Sequence, residues 1–135
     1  MSYRLTHQEM ESVSRLSQEA RLEHFIKRVI DWEEIWSLRN DSGWVISQTD
    51  DSNIVAPFWP HPEYAKQCAV DEWSDTEPAV IELGVFLDKW LPGLWKDGRL
   101  VEVFRTPKQN GGVMTPTALR ELVTAECNEA YGDDL

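Results

Sequence analysis

At Ile35 the spacing of apolar residues changes period, and that change limits the chain to a fold that mixes helices and strands. Before it, Leu22, Phe25, Ile26, Val29 and Ile30 recur at the i, i+3, i+4, i+7, i+8 spacing of one helical stripe. After it come short β-branched or aromatic runs at 35–38, 44–47 and 54–59, separated by Asn40-Asp41-Ser42-Gly43 and by Thr49-Asp50-Asp51-Ser52-Asn53. Both separators favour turns, because Asn, Asp, Ser and Gly supply left-handed backbone or local hydrogen bonds. The pattern predicts an antiparallel meander of three strands. Pro57 lacks an N–H, so its strand is expected to lie at an edge or to carry an irregularity there.

The flanking segments fill in the order. Thr6-His7-Gln8-Glu9 has capping-box spacing and starts a helix at Thr6, and Ser17 caps a second, so that 6–33 reads as a helical segment. Trp59-Pro60-His61-Pro62-Glu63 ends the third strand and opens a helix through about Trp73. A strand follows at 79–83, then a helix at 84–96 that Pro92 kinks or divides. Leu100 to Phe104 alternates as a strand, 106–112 is a loop, and 113–114 returns as a short strand. A C-terminal helix opens at Thr115-Pro116 with Leu119, Leu122, Val123 and Cys127 inward, and 131–135 is expected to fray. The expected architecture is α+β, in the order αα-βββ-α-β-α-ββ-α: a mixed, mainly antiparallel sheet with packed helices. With 135 residues the chain is one domain, 1–135, in which 34–130 form the sheet-and-helix body.

Charge narrows the function classes. The net charge is −11, and residues 41–98 alone carry eleven acidic and three basic groups. A field of that sign repels phosphate backbones and anionic lipid, which argues against nucleic-acid and membrane-surface binding. No stretch approaches the ~20 apolar residues of a membrane span, and the first thirty residues lack a signal-peptide core, so a cytoplasmic location is expected.

Motifs for chemistry are sparse. There is no Gly-rich phosphate loop, no His-Glu-x-x-His and no Gly-x-Ser-x-Gly. The sequence therefore nominates no catalytic residue, no metal ligand and no cofactor. Cys68 and Cys127 stand alone and read as two buried thiols, while His24 is placed facing away from the helical stripe. His61 lies at a strand-to-helix junction, where it either caps the turn or contacts a ligand together with Trp59 and Glu63. Asp71 and Glu72, with Asp75 and Glu77, flank Trp73, either as a solvated loop or as a rim around an anchor residue. Seven Trp, each able to bury ~150–250 Å², exceed what such a core usually hides, so Trp73 or Trp95 is expected to be partly exposed.

Glu23 to Val29, Trp36-Ser37-Leu38, Gly43-Trp44, Pro57 to Ala65 and Phe86 to Pro92 together resemble an uncharacterised bacterial family, domain of unknown function 2750. The resemblance covers about residues 20–125. It implies an α+β fold and transfers no catalytic residue. In the order of its elements the chain is also similar to some toxin-immunity families. The leading expectation is a non-catalytic interaction domain whose acidic middle binds a basic protein partner, as an immunity protein would. The alternative is a small-molecule site or unrecognised enzyme centred on Trp59, His61 and Glu63, and a third reading is a homodimer built on exposed Trp.

Overall fold

Both N-terminal helices start where side-chain oxygens cap them. The computed structural model describes residues 4–131. Thr6 Oγ1 accepts from the Glu9 amide at 3.1 Å to start α1 (His7–Ser14), and Ser17 Oγ accepts from the Ala20 amide at 3.2 Å to start α2 (Gln18–Trp32). Phe25, Ile26, Val29 and Ile30 are buried along α2, as their spacing requires. Arg21 is buried with them, and His24 is half-buried with its ring centroid 6.1 Å from that of Phe104, not turned away.

The strands form two small sheets. In the first, β1 (Glu34–Asn40) lies between β2 (Gly43–Trp44) and β5 (Glu77–Glu82), both antiparallel to it. The second has the order β3 (Ser47–Gln48), β4 (Ile54–Phe58), β6 (Leu100–Val103), β7 (Gly112–Met114), and only its β4–β6 pairing is parallel. The sheets meet where Trp36 and Trp59 exchange backbone hydrogen bonds of 2.9 and 2.8 Å.

The run at 44–47, expected as one strand, is divided between the sheets. Gly43 and Trp44 pair with β1, while Ser47 and Gln48 pair with β4. Between them Val45 turns into the core and Ile46 into solvent, which is how a strand turns a corner from one sheet to another. Pro57 sits beyond the end of β3, which pairs only with Ile54 and Val55, so its missing N–H leaves no gap in that ladder. Its carbonyl accepts from the Ser37 hydroxyl at 2.8 Å.

α3 (Pro62–Gln67) is shorter than expected. The chain extends at Val70 (φ −131°, ψ 166°), turns left-handed at Asp71 (φ 53°) and makes one 3₁₀ turn, Asp71–Trp73. That turn sets Trp73 edge-on against Trp59, with centroids 6.3 Å apart.

Pro92 divides its helix as expected, with a specific local consequence. α4 (Leu83–Val85) runs into a π-helical turn, Phe86–Trp90, and then α5 (Leu91–Lys96). The Leu91 amide reaches back five residues to Phe86 O. The next bond of that register would need an N–H on Pro92. Leu87 O instead accepts from Arg120 Nε at 3.2 Å.

α6 (Pro116–Tyr131) closes the fold. Leu119 and Val123, on one i, i+4 row, are buried, and Cys127 is half-buried. Leu122, expected inward, falls on the exposed flank of that row at 42% exposure. Residues 132–135, part of the segment expected to fray, lie outside the described residues. The core joins Phe25 and Val29 of α2 to Phe58, Trp59, Tyr64, Phe86 and Phe104. Trp95 is the most exposed tryptophan, and Trp73 is half-buried. No helix among the described residues is long and apolar enough to cross a membrane.

Candidate functional site

The loop joining β6 to β7, residues 104–111, is held from below by two buried charges. Phe104 is fully buried yet left-handed, at φ 61°, a conformation that costs a bulky residue about 1–3 kcal/mol. Its amide still donates to Phe58 O at 2.9 Å, while its carbonyl is turned toward α2 and accepts from Arg21 Nε at 3.0 Å. The same guanidinium donates to Leu16 O at 2.6 Å, Gln109 Oε1 at 2.6 Å and Asn110 O at 2.8 Å. Burial pulls the Arg21 pKa below its ordinary value.

Glu102 is the second buried charge, 2% exposed. Its Oε2 accepts from Arg105 Nε at 3.1 Å and from the Gly111 amide at 2.9 Å, and its Oε1 lies 2.9 Å from Arg105 Nη2. One hydrogen bond and one close ion-pair contact thus hold the Arg105 guanidinium against the Glu102 carboxylate. Gly111 is required by close packing, because a Cβ there would lie 2.4 Å from Val103 O. The Arg105 carbonyl is held as well: it accepts from Trp59 Nε1 at 2.8 Å and from Cys68 Sγ at 3.5 Å.

Above this base lies a cleft of about 440 Å³ between the segment 68–73 and the loop 105–110. Arg105 Cζ sits 5.1 Å from the Trp73 ring centroid, a cation–π contact joining the two walls. Asp71 and Glu72 stand on one wall, and Arg105 and Lys108 on the other. Cys68 lies in the wall, but burial pushes its thiol up to about 11, so it is protonated and poorly nucleophilic near neutral pH. Among the described residues no group of three or more His, Cys, Asp or Glu side chains is placed to hold a metal ion.

The residues nominated by the sequence divide into two sets. Trp59, Asp71, Glu72 and Trp73 come together: the last three line the cleft and Trp59 supports Trp73 from within the core. His61 and Glu63 do not line it. His61 is buried at the start of α3, where its Nδ1 accepts from the Glu63 amide at 3.1 Å, and Glu63 points to solvent in the first turn. Arg21, Glu102, Arg105 and Gly111 were not nominated. A signal exists for Arg21, which shares the i, i+4 row of Phe25 and Val29, and for Glu102, which sits inside an otherwise apolar strand.

All eleven acidic residues of 41–98 are exposed. Asp71 and Glu72 make no ion pair among the described residues, so their charge is available to whatever approaches Trp73.

A family model described as a protein of unknown function, DUF2750, matches residues 22–122, from the Leu22 end of the α2 stripe to Leu122 of α6. The chain belongs to that family. No curated protein matches it.

Proposed function

We propose that this member of the family is a non-catalytic interaction domain, acting in the cytoplasm, that docks a basic protein partner on the acidic face around Trp73. One observation carries the reading: Asp71 and Glu72 are exposed, with no ion pair among the described residues, beside an aromatic residue that is itself held by Trp59 and Arg105. Unneutralised carboxylates steer a basic partner to the surface, and a half-buried Trp at the centre of a charged rim suits an anchor. The loop opposite is already ordered by Arg21 and Glu102, so little conformational freedom is lost on binding. An immunity-type role, in which the acidic face covers a basic toxin, fits this chemistry.

The test is a crosslinked partner, recovered at low salt and titrated at rising ionic strength against the parent chain and a D71N/E72Q/D75N variant. Affinity should fall with salt, and the variant should associate about tenfold more slowly at low salt. A complex indifferent both to salt and to the three substitutions overturns the reading. A small-molecule site is the second reading, favoured by the cleft's volume, which lies within the roughly 300–1,000 Å³ of ligand pockets. Its centre would then be Trp73 and Arg105, with Trp59 beneath, in place of His61 and Glu63.

A further inference from the structure

Trp73 and Glu72 also wall a second, smaller cleft, of about 210 Å³, whose other side is Trp44. Both rings are fixed edge-on by a neighbour: Trp44 by Trp90 at 4.7 Å and 90°, Trp73 by Trp59 at 6.3 Å and 87°. Both already carry a guanidinium, since Arg39 Cζ lies 5.0 Å from the Trp44 centroid and Arg105 Cζ 5.1 Å from that of Trp73. Trp44 and Trp73 both wall this cleft, and neither arginine does.

Two carboxylates complete the surroundings. Asp75 is tied in place through Oδ2, which accepts from Asn40 Nδ2 at 3.1 Å, and Glu72 is exposed without an ion pair among the described residues. The Trp73 backbone between them is pinned by Thr76, whose Oγ1 donates to Trp73 O at 2.7 Å. Aromatic walls with carboxylates beside them favour a cation, because the ring quadrupole and the anions attract the same charge. The volume falls below the roughly 300 Å³ at which pockets begin to take whole ligands, and so suits the end of one side chain.

We infer that this cleft receives the cationic end of one lysine or arginine side chain of the basic partner, held between Trp44 and Trp73 with Glu72 and Asp75 balancing its charge. The inference rests on the docking reading above and names what that partner inserts. In ¹H–¹⁵N spectra of the full chain, titration with Nα-acetyl-lysine methylamide or its arginine analogue should shift the indole N–H signals of Trp44 and Trp73 saturably. The norleucine analogue should leave them unmoved. An E72Q/D75N variant, altered only at exposed side chains, should bind about two- to fivefold more weakly per carboxylate removed.

The inference is overturned if no indole shifts, if norleucine acts equally, if the shifts map to Trp95, or if E72Q/D75N binds like the parent. Should the probes fail while a recovered partner still binds in a manner sensitive to salt and to Asp71, Glu72 and Asp75, this cleft is excluded and the docking reading stands. Should both fail, both readings fall.

Discussion

Replacing Arg21 with Met tests whether a buried cation organises the cleft. Met keeps most of the apolar stem and removes every donor, leaving Phe104 O, Leu16 O, Gln109 Oε1 and Asn110 O without their shared partner. Hydrogen bonds from a charged group are worth about 1.5–3 kcal/mol each, so four would suggest roughly 6–12 kcal/mol. Three of the four bonds are only partly buried, so water can replace the guanidinium there, and the parent also bears several kcal/mol for keeping the cation out of water. The net loss should be near 3 kcal/mol, a large share of the ~5–15 kcal/mol that holds a domain together. Urea unfolding followed by Trp fluorescence should show the midpoint lowered by about 1–3 M at unchanged slope. Hydrogen exchange should accelerate at residues 104–111, including the Gly111 amide, while the β1–β5 ladder keeps its protection. R21K, with one compact ammonium in place of a planar fork, should fall between the two. A variant within about 0.5 kcal/mol of the parent, or unchanged exchange at 104–111, refutes the role assigned to Arg21.

Two further predictions concern the same region. G111A places a methyl group 2.4 Å from Val103 O and 3.0 Å from Arg105 N, both backbone atoms, so the strand end must move. A loss of about 3 kcal/mol in denaturant unfolding is expected, and a loss below about 1 kcal/mol would show that the contact relaxes freely. His24 is held below its ordinary pKa first by burial and then by Arg28, with Glu9 opposing. Its folded-state value lies below its unfolded-state value, so the unfolded chain takes up the proton first. Stability is therefore complete above the unfolded pKa near 6.5 and declines as pH falls from there toward the folded value. H24Q should remove that decline when the two proteins are compared by urea unfolding at stepped pH, and identical profiles would reject it.

Local rules made much of the fold legible. The change of period at Ile35, the caps at Thr6 and Ser17 and the turn residues at 40–43 act within a few residues, and each marks an observed element boundary. The division of 44–47 between two sheets was not legible, because it depends on pairing with β1 on one side and β4 on the other. Buried charge was hidden for a related reason: Arg21 and Glu102 look like surface residues until the loop that each one holds is in place. The candidate site follows the same division. Asp71, Glu72 and Trp73 are adjacent in sequence and were nominated together, whereas Arg105 is distant and was not.

What joins them is the parallel pairing of β4 with β6, in which Phe58 lies opposite Val103. Both strands end at the same edge, so Trp59, following one, and Arg105, following the other, emerge side by side, and the Trp59 indole donates to the Arg105 carbonyl at 2.8 Å. The cleft thus opens at the carboxyl ends of the one parallel strand pair among the described residues, the position where open sheets with parallel strands commonly place their ligand crevice. His61 follows β4 too, but the short α3 begins at once and takes its ring as a cap. The chain leaving β6 has no helix to start, and it is this freedom that lets residues 104–111 fold back over Arg21 and Glu102 and form the wall opposite Trp73.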